Sequence, residues 1–245
     1  MSNRDGIILC WNLNDVDCLK ITAPEMKKAS EKTRSDLLVI DGGSTDGSIE
    51  YLDAIGINYI VQVVPGMRNA YQTGFQYAFE KGYKFAVVSQ SDGNCDFAAT
   101  DKLFAPLRNN QADLVIGSRY SGWNRKSLDD SLVTSIGNLA FSLLYSIVSR
   151  KYIRDPLVGF RGINLFSLSS LDLLNNSLIY WKIEKPLRTS LGWCPLVTLE
   201  FCKRKLRIIE ILIPEPKRTA GKPKRQTFRW GAGFLIWAFL VPFRK

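Results

Sequence analysis

Histidine is absent from the 245-residue chain. This absence removes the commonest general base and the commonest transition-metal ligand, so acid–base or metal chemistry must rest on carboxylates, lysines, tyrosines or cysteines. The five cysteines form no Cys-x-x-Cys pair, which argues against a zinc site and against a dithiol redox motif. Reduced, mostly buried thiols, as in a cytosolic protein, are the expectation.

Apolar runs long enough to cross a membrane are also lacking. Leu132 to Val148 is very apolar, but it is short and serine-rich, so we expect a buried helix, with an interfacial helix as the alternative. Trp230 to Phe243 is almost wholly apolar and falls short of the ~20 residues that a spanning helix needs. Met1 to Gly6 is polar and carries no signal-peptide pattern.

Positive charge is in excess, because 33 Lys and Arg against 23 Asp and Glu give a net charge of +10. This balance favours anionic partners, whether phosphates, nucleic acid or anionic lipid. The cations are not interleaved with a nucleic-acid motif, so no nucleic-acid partner is expected. A basic run precedes the apolar segment that starts at Trp230, and it consists of Lys217, Arg218, Lys222, Lys224, Arg225 and Arg229.

A basic run beside a helix rich in Trp and Phe is typical of the membrane interface. A helix docked on the domain is the alternative. We therefore expect a domain over residues 1–215 and a basic, amphipathic, membrane-proximal tail over residues 216–245. The expected location is cytoplasmic, peripheral on the cytoplasmic face of a membrane.

Short apolar segments alternate with helical patterns along the domain, which predicts an α/β fold with a mostly parallel, doubly wound sheet. Pro24 is expected to interrupt the first helix. The predicted strands are 6–11, 37–40, 57–64, 84–89, 113–116 and 206–213, and the main predicted helices are 16–32, 68–81 and 132–148.

Asp41 directly follows the apolar run Leu37 to Ile40. The glycine pair at 42–43 permits a sharp turn and a close approach of a ligand to the main chain, and one of residues 44–46 can cap the next helix. Ligands of open α/β sheets bind at the carboxyl ends of strands. The segment is therefore either a nucleoside-binding loop or a plain strand–helix turn with a cap.

Two further predicted strands end in polar loops. One runs into Gln90-Ser-Asp-Gly-Asn94, where Asp92 can hold Mg²⁺ or Mn²⁺ together with substrate phosphates, a solvated turn being the alternative. Another runs into Arg119, which can bind a phosphate bidentately. Asp155 precedes a proline and is therefore held extended.

Six segments, taken in order, form a recognisable set of motifs. They are Val39-Ile-Asp-Gly-Gly-Ser-Thr-Asp-Gly-Ser48, Asn69-Ala-Tyr-Gln-Thr-Gly-Phe75, Gln90-Ser-Asp-Gly-Asn94, Ile116-Gly-Ser-Arg-Tyr120, Asp155-Pro-Leu-Val-Gly-Phe-Arg161 and Arg218-Thr-Ala-Gly-Lys-Pro-Lys224. The set resembles the motifs of family-2 inverting glycosyltransferases with the GT-A fold. The last three segments look like motifs of the polyprenyl-phosphate branch, which is dolichol-phosphate mannose synthase-like. The resemblance spans roughly residues 6 to 225.

The resemblance implies a GT-A (Rossmann-like) sheet, a nucleotide-diphosphate-sugar donor and a divalent ion, Mg²⁺ or Mn²⁺, bound by Asp92. It implies that Asp155 and Arg119 are the catalytic candidates, with Asp155 as a base or a positioning group. Donor contacts are expected from Asn12, Asp41, Gly43, Asp46, Asn69, Gln90 and Asp92. Contacts to the acceptor or to phosphate are expected from Arg119, Arg161, Arg218 and Lys224.

The chain departs from the family pattern at several of these places. Gln90 replaces the first acid of the metal-binding DxD, and Asp130 lies near the position where the branch usually carries an arginine for the lipid phosphate. Residues 125–126, Arg and Lys, can substitute for that arginine. The usual glutamate after the Gly-Phe-Arg segment is either Glu184 or Glu200.

A phosphate acceptor is already ionised at neutral pH and needs no general base, which suits a histidine-free site. We therefore expect a membrane-associated, metal-dependent glycosyltransferase that moves a sugar to polyprenyl phosphate. One alternative is transfer to a hydroxyl of a glycan or small molecule. Another, suggested by Gln90 and Asp130, is a GT-A module that binds nucleotide sugars without turnover.

Overall fold

A computed structural model describes residues 4–120, 132–171, 173–175, 179–218 and 227–243. Its strands form one sheet, in which the pairs of the sixth strand are antiparallel and the other neighbouring pairs are parallel. The strands are β1 (Gly6–Asn12), β2 (Asp36–Asp41), β3 (Tyr59–Val61), β4 (Phe85–Gln90), β5 (Leu114–Ser118), β6 (Arg161–Asn164) and β7 (Ile208–Leu212). The seven-stranded order is β3-β2-β1-β4-β6-β5-β7, which confirms the predicted mostly parallel α/β sheet.

Helices connect the strands and flank the sheet. A 3₁₀ turn at Phe97–Ala99 follows β4. The helices are α1 (Val16–Thr33), α2 (Ser48–Ala54), α3 (Met67–Glu80), α4 (Thr100–Arg108), α5 (Leu132–Ser149), α6 (Leu165–Ser169), α7 (Ile179–Lys182), α8 (Glu184–Leu187), α9 (Cys194–Lys203) and α10 (Thr227–Phe243).

The centre of the sheet is the most deeply buried part of the core. Every residue of β1 is buried, as expected for a central strand with helices over both faces. In register, Asn12 pairs with Asp41 and Trp11 with Gln90. The carboxyl ends of β1, β2 and β4 therefore meet at one edge of the sheet.

The antiparallel strand β6 was not predicted. It has only four residues, including an arginine and an asparagine, so neither an apolar run nor an alternating pattern marks it. Gly162 is required there, because an added Cβ would lie 2.8 Å from the carbonyl oxygen of Leu103 in α4. The position of β6 is therefore set by close packing of the strand on α4 and is not visible as a pattern in its sequence.

Pro24 does not interrupt the first helix, so that prediction is wrong: α1 runs continuously from Val16 to Thr33. A proline cannot donate to the carbonyl one turn earlier, which here belongs to Lys20. The hydroxyl of Tyr51, on α2, lies 3.4 Å from that carbonyl oxygen and donates to it. A tertiary contact therefore supplies the partner that proline removes.

The C-terminal helix α10 is docked on the domain. The indole Nε1 of Trp237, which is fully buried, donates to the carbonyl oxygen of Tyr180 at 3.1 Å. The hydroxyl of Tyr145, on α5, donates to the carbonyl of Phe234 at 3.2 Å. Within the described ranges, no helix has the length and apolar character that crossing a membrane would require.

Candidate active site

Asp41 is the fully buried centre of the loop that follows β2. One carboxylate oxygen accepts from the backbone amides of Gly43 at 2.9 Å and Ser44 at 2.6 Å. The other accepts from the side-chain amide nitrogen of Asn12 and from the Ser44 hydroxyl, both at 2.7 Å. Gly43 takes φ +89°, a conformation that glycine adopts without strain. Asp41 therefore fixes the shape of this loop through contacts within the chain, and a direct contact to a nucleoside stays a prediction.

A buried hydrogen-bond relay joins this loop to the loop after β4. Asn12 donates to Asp41 through its amide nitrogen and accepts, through its Oδ1, from the hydroxyl of Ser91 at 2.7 Å. Ser91 immediately precedes Asp92. Ser91 was not among the predicted site residues, and its position in the Gln90–Asn94 loop is the one sequence feature that points to it. The relay makes the two predicted ligand loops one structural unit.

Asp92 and Arg218 meet although 126 residues separate them. An Nη2 of Arg218 donates to Oδ2 of Asp92 at 2.7 Å, and Oδ1 of Asp92 accepts from the amide of Asn94 at 3.2 Å. The side chains are 8% and 12% exposed, respectively. Among the described residues, the buried Nε of Arg218 has no hydrogen-bond partner.

Arg119 and Asp155 form a second buried pair. The guanidinium Nε and Nη2 of Arg119 donate to the two carboxylate oxygens of Asp155 at 2.8 and 2.9 Å, and the Arg119 amide donates to Oδ2 at 3.1 Å. Nη1 of Arg119 lies 3.5 Å from a carboxylate oxygen of Glu215. The bidentate face of Arg119 is thus turned to Asp155 rather than left for a phosphate.

The electrostatics of this pair follow from its burial. Burial alone would raise the pKa of Asp155, but the charge and hydrogen bonds of Arg119 outweigh it and hold that pKa below its usual range. Burial alone would lower the pKa of Arg119, yet Asp155 raises it well above its ordinary value. Both groups are therefore charged at neutral pH, and Asp155 is a weak base.

Two glutamates, one in β7 and one just after it, contact the segments that hold Arg119 and Asp155. Neither was among the predicted site residues. Oε1 of Glu210, in β7, accepts from the backbone amides of Arg154 and Asp155, each at 3.0 Å. Glu215 follows the end of β7 between two prolines. An acid after an apolar strand was the signal used for the other loops, and it would have found Glu215.

The prediction that Arg161 contacts the acceptor or phosphate is corrected by the structure. Arg161 is fully buried in β6. Its guanidinium donates to the carbonyls of Pro156 and Val158, to the carbonyl of Cys194 at 2.8 Å and to the hydroxyl of Thr198 at 3.0 Å. These bonds use its donors within the chain and tie the 156–158 turn to α9, which is a structural role.

The remaining predicted donor residues lie around the same edge of the sheet. Asp46 is exposed and accepts from the backbone amide of Val16 at 2.8 Å and from the hydroxyl of Ser48 at 2.6 Å, so it links the first residues of α1 and α2. The side-chain amide nitrogen of Asn69 donates to the carbonyl of Pro65 at 2.9 Å. Gln90 is the last residue of β4, half-buried. Lys224 lies outside the described residues.

The two candidate glutamates make different contacts. Oε2 of Glu184 accepts from Nε of Arg68 at 2.8 Å, and its Oε1 accepts from the amide of Leu191 at 2.8 Å. Glu200 is buried and accepts from the hydroxyl of Tyr180 at 2.6 Å. Both are occupied by contacts that hold the segment before α9.

Charged side chains that converge at the carboxyl edge of a mostly parallel sheet place this chain in a class of protein: α/β proteins with a ligand site at that edge. Comparison with solved structures specifies the fold. Glucosyl-3-phosphoglycerate synthase from Mycobacterium tuberculosis, in complex with Mn²⁺, UDP and phosphoglyceric acid, aligns with a TM-score of 0.67 at 16% identity, covering 99% of this chain and 80% of that one. At this identity the likeness establishes the GT-A fold.

Residues 17–134 match glycosyl transferase family 2. The chain carries a family-2 glycosyltransferase domain and is a glycosyltransferase, which confirms the resemblance seen in its motifs.

Three curated relatives support the same family. Undecaprenyl-phosphate mannosyltransferase from Micrococcus luteus is 26% identical over 86% of this chain and 83% of its own length. Glycosyltransferase AglJ from Haloferax volcanii is 28% identical over 58% of this chain and 45% of its own. UDP-N-acetylglucosamine–dolichyl-phosphate N-acetylglucosaminyltransferase from Methanococcus voltae is 31% identical over 46% of this chain and 43% of its own.

Proposed function

We propose that this glycosyltransferase moves a sugar from a nucleotide-diphosphate sugar to a polyprenyl phosphate. Arg218 carries the proposal. Its guanidinium is buried against Asp92, and its Nε is a buried donor without a partner among the described residues. An unmet buried donor is costly and suits an anionic ligand. A phosphate oxygen at this point would satisfy Arg218 beside the acid predicted to face the diphosphate.

The names of two relatives support the acceptor. The Micrococcus luteus and Methanococcus voltae proteins are named for undecaprenyl phosphate and dolichyl phosphate, respectively. Both of these lipids are phosphate monoesters of long isoprenoid alcohols. An acceptor of this class has an anionic oxygen as its nucleophile and gives no proton to the enzyme at neutral pH.

The residues present suit a divalent cation. Asp92 is an oxygen donor at the carboxyl end of β4, and it already holds a cationic group at 2.7 Å. Within the described part of the chain no three His, Cys, Asp or Glu side chains cluster to hold a metal ion. Mg²⁺ and Mn²⁺ bind through one or two carboxylates together with substrate phosphates and water, so Asp92 fits such an ion. When bound, the ion would neutralise charge on the leaving diphosphate.

Residues of the chain have separate roles in this proposed reaction. The Asp41–Asn12–Ser91 relay holds the donor loops in one shape. The acceptor phosphate oxygen forms the new bond to the anomeric carbon while the bond from that carbon to the diphosphate breaks, and the diphosphate leaves with the electron pair. No proton changes hands. Asp155 acts here as a positioning group, because its lowered pKa and bidentate contact keep it an anion bound to Arg119.

The test is an assay of label transfer by the full chain with Mn²⁺. Radiolabelled UDP- or GDP-sugars are supplied with either polyprenyl phosphate or free sugar acceptors. Label in the lipid phase that depends on Mn²⁺ and is lost in Asp92→Asn supports the proposal. Asp53→Asn, a change of an exposed acid on α2, is the matched control and should transfer label as the wild type does.

Two results would contradict the proposal. Label that accumulates in a glycan and stays out of the lipid phase would favour transfer to a hydroxyl. Equal, low release of sugar by the wild type and by Asp92→Asn would favour a module that binds nucleotide sugars without turnover.

A further inference from the structure

Helix α5 carries an exposed apolar row. Ile136, Leu143 and Ile147 are 60%, 44% and 75% exposed. The spacings of seven and four residues place them on one side of the helix. The opposite side is buried, for example at Ser142 and Tyr145. A row of large apolar side chains held open to solvent marks an interaction surface rather than a core.

Helix α10 carries a second row of the same kind. Phe228, Leu235 and Phe239 are 88%, 43% and 61% exposed. Their spacings are again seven and four residues, while Phe234 and Trp237 of the same helix are buried. The helix therefore docks on the domain with one side and leaves an aromatic side uncovered.

The two helices are in direct contact. The rings of Phe141 on α5 and Phe234 on α10 lie 6.2 Å apart at an edge-on angle of 80°. The hydroxyl of Tyr145 donates to the backbone of Phe234. The two rows thus belong to neighbouring helices. We call Ile136, Leu143, Ile147, Phe228, Leu235 and Phe239 the α5–α10 surface.

The charged residues described just after α5 and in the first turn of α10 are cations. Neither α5 nor α10 contains an acidic residue. Arg150 and Lys151, both exposed, follow α5 directly, and Arg229 is exposed in the first turn of α10. An apolar face edged by cations has the chemistry of an interfacial helix on anionic lipid.

We propose that the α5–α10 surface docks on the anionic face of a lipid bilayer. A second copy of the chain fits the charge less well, because two chains of net charge +10 repel each other whereas anionic lipid attracts both. The proposal deepens the proposed function, since polyprenyl phosphate is a membrane lipid, but it stands on its own observations.

The surface is connected to the candidate site. The amide nitrogen of Asn138, on α5, donates to the hydroxyl of Tyr120 at 2.8 Å. The guanidinium of Arg119 lies over the ring of Tyr120, 5.0 Å from its centroid. Docking of α5 on lipid would therefore bring the Arg119–Asp155 pair close to the bilayer surface, where a lipid phosphate lies.

The test is co-sedimentation of the full chain with vesicles of phosphatidylcholine containing phosphatidylglycerol, compared with phosphatidylcholine alone. The variant Ile147→Glu/Phe239→Glu changes one residue in each row. Its control is Ile21→Glu/Phe166→Glu, which changes two exposed apolar residues on α1 and α6 and alters the net charge equally. We expect the first variant to lose about tenfold or more in vesicle affinity and the control to bind nearly as the wild type.

Equal binding by Ile147→Glu/Phe239→Glu and by its control would overturn the proposal. A second result would also overturn it: the wild type is a dimer in sedimentation velocity, and Ile147→Glu/Phe239→Glu alone makes it a monomer without changing vesicle binding. The surface would then be an interface between copies of the chain. Transfer of sugar to a short, water-soluble polyprenyl phosphate is measured in parallel. If Ile147→Glu/Phe239→Glu still transfers sugar but no longer binds vesicles, the result supports the docking surface. If the wild type itself transfers no sugar, the result contradicts only the proposed function.

Discussion

Arg218 Nη2 lies 2.7 Å from Asp92 Oδ2, in a contact where both side chains are nearly buried. A guanidinium therefore holds the carboxylate oxygen that we propose for a divalent cation. If Asp92 binds the ion as proposed, Arg218 and the ion would compete for its carboxylate when no nucleotide is present. A bound diphosphate would then offer Arg218 a second anionic partner.

The first prediction concerns this competition. Arg218→Gln removes the competing charge, so we expect Mn²⁺ to bind the nucleotide-free protein several-fold more tightly, because like charges at one carboxylate oppose each other. Titration followed by the electron paramagnetic resonance of free Mn²⁺ measures the affinity. Arg150→Gln, which changes an exposed cation after α5, should leave the affinity unchanged. Weaker Mn²⁺ binding by Arg218→Gln would show that Arg218 and the ion do not share Asp92.

A second prediction concerns the Arg119–Asp155 pair. Arg119→Met leaves a buried carboxylate without its cation, and we expect a loss of about 3–5 kcal/mol in the free energy of unfolding. The double variant Arg119→Met/Asp155→Asn should lose less than the two single changes together. Urea denaturation of the four proteins measures the coupling free energy. Additive losses would mean that the pair has no mutual stabilisation.

The pair also predicts a dependence of stability on pH. The folded-state pKa of Asp155 lies below its ordinary value, so its contribution is fully present above the unfolded pKa, about 3.9. That contribution is lost as the pH falls through the lower folded-state value. We expect the difference in free energy of unfolding between wild type and Asp155→Asn to be constant from pH 7 to about pH 5 and to shrink below about pH 4. A difference that grows in acid would contradict this sign.

The last prediction separates two roles of Asp41. Asp41→Asn replaces an acceptor oxygen with an amino group in a loop where every carboxylate contact is a donor. If the role is structural, we expect a loss of about 1–3 kcal/mol in the free energy of unfolding, together with weaker binding of nucleotide. Thermal denaturation and calorimetric nucleotide titration measure the two effects. Weaker nucleotide binding with unchanged stability would instead assign Asp41 a direct contact to the donor.

Much of the fold was predictable from local pattern. The strands around Leu38 and Val87 are apolar runs that end at polar residues, and such runs indicate buried parallel strands in any context. Strand β6 was missed because its identity depends on Gly162 fitting against α4. The continuity of α1 through Pro24 was missed, and the carbonyl that Pro24 leaves without its helical donor accepts from Tyr51, which is distant in sequence.

The sequence by itself determined the family, the chemistry of the loops and the order in which they occur. Motif identity is a local property, and the spacing of strands and helices follows from hydrophobic period. It also determined that histidine takes no part. These features can be read from the sequence without knowledge of any contact between distant residues.

Only the tertiary structure decided how the charged residues are paired. Sequence motifs grouped Arg119, Arg161 and Arg218 as phosphate contacts, yet the structure buries Arg161 among carbonyls, turns Arg119 to Asp155 and sets Arg218 against Asp92. A guanidinium binds whichever acceptors surround it when buried, because a buried charge without partners is too costly. Arg161 also donates to the nearby carbonyls of Pro156 and Val158. Cys194 for Arg161, Asp155 for Arg119 and Asp92 for Arg218 lie more than 30 residues away in sequence, and only folding brings them together.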